Sequence, residues 1–270
     1  MIFLKRTLKG CDVFVNIPAG WENFQARFSY AVDNGRHRRK GVVPVSECDR
    51  HELKYAIDMG ACLALRQRLR PVMQPDSHAG SDGRYTIHSI YFDNADDKAL
   101  REKLSGVSRR EKWRIRWYND DLGYIRLEKK MKRDALCRKL SAPLTEGECR
   151  ALAAGRLAWM PEHPEALVRE LYGKCRAQQL APRVLVSYER EAYVYAPGNV
   201  RVTFDTRLRT SLYHRELLDG ERGISAMDSP GVCILEVKYD AFLPEVIRCL
   251  LQCDVRQQAF SKYGACRRFG

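Results

Sequence analysis

The stretch "EKWRIRWYN", residues 111–119, alternates basic and bulky apolar side chains at every second position. The two parities carry opposite chemistry: Lys112, Arg114, Arg116 and Tyr118 on one, and Trp113, Ile115 and Trp117 on the other. Because successive side chains of a β-strand point to opposite faces, the pattern predicts a strand with one cationic face and one buried face.

Other segments repeat this alternation. The polar parities are Glu52 and Lys54 in "HELKYAI", Arg126, Glu128 and Lys130 in "YIRLEKK", Tyr188 and Arg190 in "VSYER", Arg201, Thr203, Asp205 and Arg207 in "VRVTFDTRL", and Glu236 and Lys238 in "ILEVKY". Lys129 is an exception, since it falls on an apolar parity. An antiparallel sheet with its polar face in water explains such alternation equally well. Clustered Arg and Lys on adjacent strands, however, repel one another unless an anion lies between them.

These strands alternate with helical stretches but show no regular βαβ repeats, which favours an antiparallel or mixed sheet in an α+β protein. If the charged faces point inward, the fold is an antiparallel β-barrel tunnel with helices packed outside. The planar fork of Arg and the mobile charge of Lys together fit phosphate better than carboxylate. The sequence therefore predicts a cationic tunnel that binds a phosphate chain.

Two parts of the chain differ in pattern. Residues 1–45 show no sustained period, and they are predicted to be an N-terminal extension, loosely ordered, with a basic run at residues 36–40. Residues 46–270 are predicted to form the tunnel domain. Within it, Asp58 is expected to open one helix and Pro164 to start another.

Charge and hydropathy limit the partners. The 270 residues include 47 Lys and Arg against 34 Asp and Glu, a net charge of +13, which favours an anionic partner. No apolar run reaches the roughly 18 residues of a transmembrane helix, and no signal peptide is evident, so a cytoplasmic protein is expected. Nucleic acid is disfavoured because Trp113 and Trp117 lie on the parity opposite the arginines, where they cannot stack on bases.

Eight motifs in order carry a resemblance to a known family: "RHELKY", "SIYFDN", "KWRIRWYN", "LEKK", "SYERE", "VRVTFDTRLR", "LEVKY" and "FSKYG". Over residues 47–268 the chain resembles the polyphosphate polymerase domain of the vacuolar transporter chaperone (VTC) family, within the triphosphate tunnel, or CYTH-like, superfamily. The resemblance implies an antiparallel tunnel barrel. It also implies binding of ATP and a divalent metal, manganese or magnesium, and transfer of the terminal phosphate to a growing polyphosphate chain.

The resemblance also assigns roles to residues. The residues that it implies for catalysis are Arg114, Arg116, Lys130, Arg190, Arg201 and Lys262. Those that it implies for substrate binding are Lys54, Lys139, Tyr188 and Ser261. Glu236 resembles the metal-binding glutamate of the family, with Glu52 or Glu128 as further ligands. For each of the tunnel arginines, a structural ion pair with a carboxylate is the alternative role.

Two departures from the superfamily pattern keep other functions open. Hydrolytic tunnel enzymes typically begin with E-x-E-x-K, but Arg50 stands here where the first glutamate would be, and Lys238 follows Glu236 where a paired glutamate is favoured. Fewer carboxylates favour binding and transfer over metal-driven hydrolysis. An inorganic triphosphatase or nucleoside triphosphatase of the same fold, and a non-catalytic binder of polyphosphate or nucleotides, remain alternatives. The sequence does not indicate whether a membrane protein is a partner.

Overall fold

The computed structural model describes residues 2–8, 11–17, 50–133, 136–211, 224–225, 231–252 and 260–269. The chain divides into two units, residues 1–44 and 45–270. In the first unit, strands β1 (Ile2–Leu8) and β2 (Cys11–Ile17) pair as an antiparallel hairpin. The basic run at residues 36–40 lies outside the described residues. The loosely ordered extension therefore stays a prediction.

The second unit is organised around one antiparallel sheet of ten strands in its described residues. These strands are β3 (His51–Ile57), β4 (Gln74–Pro75), β5 (Arg84–Asp93), β6 (Arg109–Tyr118), β7 (Asp121–Arg133), β8 (Leu136–Leu144), β9 (Ala181–Tyr195), β10 (Val200–Ser211), β11 (Ile224–Ser225) and β12 (Cys233–Tyr239). The main order is β3-β12-β10-β9-β5-β6-β7-β8, and short strands β4 and β11 pair with β9 and β10. The predicted antiparallel α+β fold is confirmed at this level.

The sheet is strongly curved, but its ladder of paired strands is open between β3 and β8. Register shifts interrupt the pairing within β5, β6 and β10, and such irregularities bend and twist a strand. The curvature brings the two ends of the sheet near each other, since Lys130 Nζ on β7 lies 2.8 Å from Glu52 Oε2 on β3. A closed barrel is not shown by the strand pairing.

Helices connect the strands, and local sequence signals fix several of their ends. They are α1 (Met59–Leu69), α2 (Lys98–Leu104), α3 (Glu146–Ala153), α4 (Ala166–Gln178), α5 (Glu245–Leu250) and α6 (Lys262–Cys266). Asp58 caps α1 as predicted, because its Oδ1 accepts a hydrogen bond from the Ala61 amide at 2.7 Å. The predicted start of α4 at Pro164 is wrong by two residues, since Glu165 is the N-cap of that helix.

The apolar parities of the strands lie under four of the helices, as predicted. Trp113, Ile115 and Trp117 of β6 are buried in a cluster with residues of α3 and α4. Phe204 of β10 belongs to a second cluster with residues of α1 and α5. None of the helices in the part of the chain described here is long and apolar enough to span a bilayer.

Helix α6 contradicts the expectation that all helices pack outside. Its residues Tyr263 and Cys266 are buried against Ile87 of β5 and Val186 of β9. Tyr91 shares the face of Ile87, stacks on Tyr263 and pairs in register with Arg114. Helix α6 therefore packs on the cationic face of the sheet. The physical reason is that β5 and β9 carry apolar side chains on that face, which need a cover.

Candidate functional site

A cavity of about 620 Å³ opens on the cationic face of the curved sheet. We call it the basic cavity. Among the described residues that line it, twelve are basic: Arg50, Lys54, Lys103, Arg110, Lys112, Arg114, Arg116, Lys130, Lys132, Arg190, Lys238 and Lys262. Only Glu52 and Glu236 among these lining residues are acidic. β3 and β8, the end strands of the sheet, both contribute to the wall, so the cavity draws on both ends of the sheet.

Most of the predicted site residues meet in this cavity. Those that line it are Glu52, Lys54, Arg114, Arg116, Lys130, Tyr188, Arg190, Glu236, Ser261 and Lys262. Glu128, Lys139 and Arg201 are not among the lining residues. Glu128 nevertheless contacts Arg114 of the lining, and Lys139 contacts Glu128. The structure thus brings together ten of the thirteen predicted residues, and their roles stay predictions.

The β6–β7 part of the wall is built on the buried carboxylate of Glu128. Arg114 donates from Nε and Nη2 to Glu128 Oε2 at 2.7 and 2.6 Å, and from Nη1 to the hydroxyl of Tyr91 at 3.0 Å. Lys139 Nζ lies 3.1 Å from the other carboxylate oxygen. Burial would raise the pKa of Glu128, but the charges of Arg114, Arg116 and Lys139 outweigh it and lower that pKa strongly. Arg114 is therefore held in a fixed orientation.

Arg116 is buried yet only weakly engaged by the protein. Its Nε donates to Ser89 Oγ at 3.3 Å and its Nη2 to the Tyr188 hydroxyl at 3.4 Å. Its Nη1 lies 3.9 Å from a carboxylate oxygen of Glu128. Good hydrogen bonds of a guanidinium to an anion are shorter, about 2.7–2.9 Å. The donors of Arg116 are therefore available to a ligand in the cavity.

The β9–β10 part of the wall depends on Asp205, which the sequence had placed on the polar parity without a role. Arg190 binds Asp205 with two parallel hydrogen bonds of 2.6 and 2.7 Å, and Lys262 Nζ of α6 lies 2.5 Å from the same carboxylate. Burial opposes ionisation of Asp205, but the charges of Arg190 and Lys262 lower its pKa. Asp205 positions both cations and attaches α6 to the sheet.

Glu52 and Glu236 share Lys54, whose Nζ lies 2.6 Å from Glu52 Oε1 and 3.9 Å from Glu236 Oε1. Lys54 and Lys130 Nζ lie 2.6 and 2.8 Å from Glu52, and Lys238 Nζ lies 2.9 Å from Glu236. Burial would raise the pKa of Glu236, but the charges of Lys238 and Lys54 lower it well below its ordinary value. Both carboxylates are thus ionised and surrounded by lysines.

Glu52 and Glu236 supply two carboxylates to a possible metal site. Within the described ranges, no group of three or more His, Cys, Asp or Glu side chains is arranged to hold a metal. Glu128 does not join Glu52 and Glu236, because Arg114 and Lys139 occupy its oxygens. Two carboxylates still fit Mg²⁺ or Mn²⁺ when substrate phosphates and water complete the coordination. The pair therefore suits a metal that enters with the ligand.

Lys112 is a cavity residue that the prediction omitted. In the described part of the chain no carboxylate pairs with it, and its Nζ lies 5.1 Å from the ring centroid of Tyr263. Burial lowers the pKa of Lys112 to about 8, with contributions from Lys103 and Arg110. Its parity with Arg114 and Arg116 was the signal that could have identified it. A half-buried lysine that no described carboxylate neutralises indicates a place for an anion.

Tyr91, on the neighbouring strand β5, also has a pKa that is shifted by the positive charge of the cavity. Burial would raise its pKa, but Arg114 and Arg116 lower it to about 8. The phenol hydroxyl accepts a hydrogen bond from Arg114. The charges of Arg114 and Arg116 thus outweigh the effect of burial at Tyr91, a condition that favours anions in this part of the cavity.

Arg201 was predicted to be catalytic but is not among the described residues that line this cavity. Its Nη2 contacts the carboxylate of Asp76 and donates to the Tyr85 hydroxyl at 2.8 Å. His78 also donates its backbone amide to Asp76 at 3.0 Å. Arg201 therefore forms the ion pair that was considered as its alternative role, and nothing brings it to the lining of the basic cavity.

Comparison with known proteins gives one match at the level of families. The family model described as the VTC domain matches residues 49–269. A comparison with curated proteins found no match.

Solved structures give only distant likenesses. A Bacillus halodurans protein provisionally described as an adenylate cyclase has 14% identity and a TM-score of 0.44, over 75% of this chain and 87% of its own. The PH1819 protein of Pyrococcus horikoshii has 13% identity and a TM-score of 0.42, over 82% of this chain and 99% of its own. Similarities this distant carry no argument about the present chain.

Proposed function

Because the chain belongs to the VTC domain family, we propose that it is a metal-dependent phosphoryl transferase that binds ATP and polyphosphate in the basic cavity. In this proposal the terminal phosphate of ATP is transferred to the end of a growing polyphosphate chain. The observation that supports this proposal best is the charge of the described lining, which has twelve basic residues and two acidic residues. The cytoplasmic location stays a prediction from the sequence.

The chemistry suits such a cavity. The end of a polyphosphate chain is already ionised, so no strong general base is required, and catalysis consists mostly of positioning and charge compensation. Two polyanions must nevertheless approach each other. Arg116 and Lys112 have the least engaged cationic groups described above and are proposed to contact the reacting phosphates. Arg114 and Arg190 are oriented by buried carboxylates and each keep further donors for phosphate oxygens.

Glu52 and Glu236 are proposed to hold the divalent metal together with phosphate oxygens. When bound, the metal would neutralise charge that develops on the phosphates. The lysines around the two carboxylates keep them ionised. They also balance the negative charge of the carboxylates when no metal is bound. Metal binding is therefore expected to depend on the phosphate ligand.

The closed tunnel is part of the same proposal. Support comes from the contact between Lys130 and Glu52, which connects β3, at one end of the sheet, with β7, next to the other end. A phosphate chain between β3 and β7 would bridge their basic side chains, such as Lys54 and Lys130, and complete the ring. Support also comes from the lining itself, which includes residues of both strands.

A product assay that resolves chain length tests the function. The purified chain, incubated with ATP and manganese, is expected to form long polyphosphate. Arg116→Ala is expected to lose about a hundredfold in rate, since a lost transition-state charge contact commonly costs this much. Arg176→Ala is the matched control, because Arg176 is exposed on α4 and does not line the basic cavity.

Each other outcome supports a different function. Release of inorganic phosphate from triphosphate, without polymer, would favour the hydrolase. Tight binding of polyphosphate without turnover under manganese or magnesium would favour the non-catalytic binder. Equal rates for Arg116→Ala and the wild type would contradict the role given to Arg116.

A further inference from the structure

A second cavity, of about 540 Å³, lies beside the basic cavity at the start of β6. We call it the outer cavity. Its described lining includes six basic residues: Lys98, Arg109, Arg110, Lys132, Arg138 and Lys174. Arg110 and Lys132 line both cavities and face each other in register on β6 and β7. The two cavities therefore share a rim of positive charge.

The acidic residues of the outer cavity are engaged by protein groups. Glu111 is bound by Lys174 Nζ at 2.7 Å and by Lys129 Nζ at 3.1 Å. Asp93 accepts hydrogen bonds from the backbone of α2 and from the Tyr263 hydroxyl. Glu102 lies 3.9 Å from Lys98 Nζ. These carboxylates are engaged by other groups, so some of the positive charge in the described lining stays uncompensated.

Arg109 and Lys132 supply that uncompensated charge. In the described part of the chain neither forms an ion pair with a carboxylate. Consecutive residues of a strand point to opposite faces, so Arg109 projects from the face opposite to Arg110. β6 thus presents one arginine to each side of the sheet at the point where the two cavities meet. Cations that follow one another in this way suit a linear polyanion that passes from one face of the sheet to the other.

We propose that the outer cavity binds the distal phosphates of a polyphosphate chain whose reacting end lies in the basic cavity. This inference rests on the proposed function, since it needs a polyphosphate in the basic cavity. A chain longer than the basic cavity must leave it, and the shared rim of Arg110 and Lys132 offers an exit lined by cations. A short phosphate chain fills the basic cavity alone and does not reach Arg109.

Chain length therefore separates the two cavities in a binding experiment. Calorimetric titration of the full chain compares tripolyphosphate with polyphosphate of tens of phosphates. Arg109→Glu is expected to weaken binding of the long chain about tenfold, because one phosphate contact becomes a repulsion, and to reduce the slope of log affinity against log salt by about one. Tripolyphosphate affinity is expected to be unchanged. Arg176→Glu, with the same change in charge on the exposed surface of α4, should leave both affinities as they are.

The outcomes are distinguishable. If Arg109→Glu binds long polyphosphate as tightly as Arg176→Glu does, the outer cavity is not part of the path and the basic cavity keeps its role. If the wild type binds neither tripolyphosphate nor long polyphosphate, both the proposed function and this inference are wrong. Lys98→Glu, at the other side of the outer cavity, provides a second variant with the same expected loss. Equal thermal midpoints among these proteins show that a loss of affinity is not a loss of folding.

Discussion

Replacing Lys112 by Met should stabilise the protein without ligand and weaken its binding of phosphate. Lys112 is charged and partly buried, and its pKa is lowered from 10.5 to about 8. A shift of that size corresponds to a cost of roughly 3 kcal/mol for burying the charged lysine, at about 1.4 kcal/mol per pKa unit. We expect about half of this cost, because solvent still reaches Lys112 and the ring of Tyr263 lies near its charge. This penalty is full below pH 8 and disappears above the unfolded pKa of the lysine. At pH 7 the variant should therefore gain about 1–2 kcal/mol in the free energy of unfolding.

A bound phosphate supplies the missing counter-ion, so the same substitution should cost affinity. The assay has two parts: urea unfolding without ligand, and calorimetric titration with tripolyphosphate, both at pH 7. We expect Lys112→Met to unfold at higher urea and to bind tripolyphosphate about tenfold more weakly, since a charge-assisted hydrogen bond is lost.

Lys129→Met is the matched control, with the opposite expected sign. Lys129 lies on the outer face of β7, where its Nζ is 2.5 Å from Glu170 and 3.1 Å from Glu111. Removal of this paired lysine leaves two carboxylates without their cation and should destabilise the protein, while phosphate affinity stays unchanged. Lower stability of Lys112→Met, with unchanged tripolyphosphate affinity, would refute the reasoning.

Two further predictions concern pH and the buried carboxylate. Burial lowers the pKa of Lys112 and of Lys238 to about 8, so both lysines lose their charge as pH rises through 8. Tripolyphosphate affinity should therefore fall between pH 7 and pH 9.5 and fall less in Lys112→Arg; a flat profile in the wild type would contradict this. Glu128→Gln leaves Arg114 and Lys139 without their shared counter-ion and should destabilise the protein by about 3 kcal/mol in urea unfolding. An unchanged urea midpoint would show that Arg114 does not depend on Glu128.

The prediction of the fold rests mainly on the alternation of polar and apolar side chains along the strands. Because the parity of β6 was clear, the burial of Trp113 and Trp117 and the convergence of Arg114 and Arg116 followed from strand geometry alone. The same logic explains Lys129, the exception on the apolar parity. It is neutralised by Glu111 and Glu170 on the outer face.

The features that the sequence did not reveal depend on contacts between distant parts of the chain. Strand β8 is not among the alternating segments identified in the sequence, and its pairing with β7 is what places Lys139 opposite Lys130. Asp205 and Lys262 lie 57 positions apart, and their contact at 2.5 Å results from the packing of α6 on the inner face. Arg201 follows the parity rule but lies near Asp76, because parity fixes the face of a residue and not its position along the strand.

Helix α6 connects ligand binding with global folding. The cavity receives Lys54 from the first strand of the large unit and Lys262 from α6, near the other end of that unit. No contiguous part of the unit contains the whole site, so partial unfolding of either region removes ligand contacts. Phosphate ligands should consequently raise the melting temperature progressively with their concentration. Thermal shift measurements would thus serve as a general screen for the anions that this protein recognises.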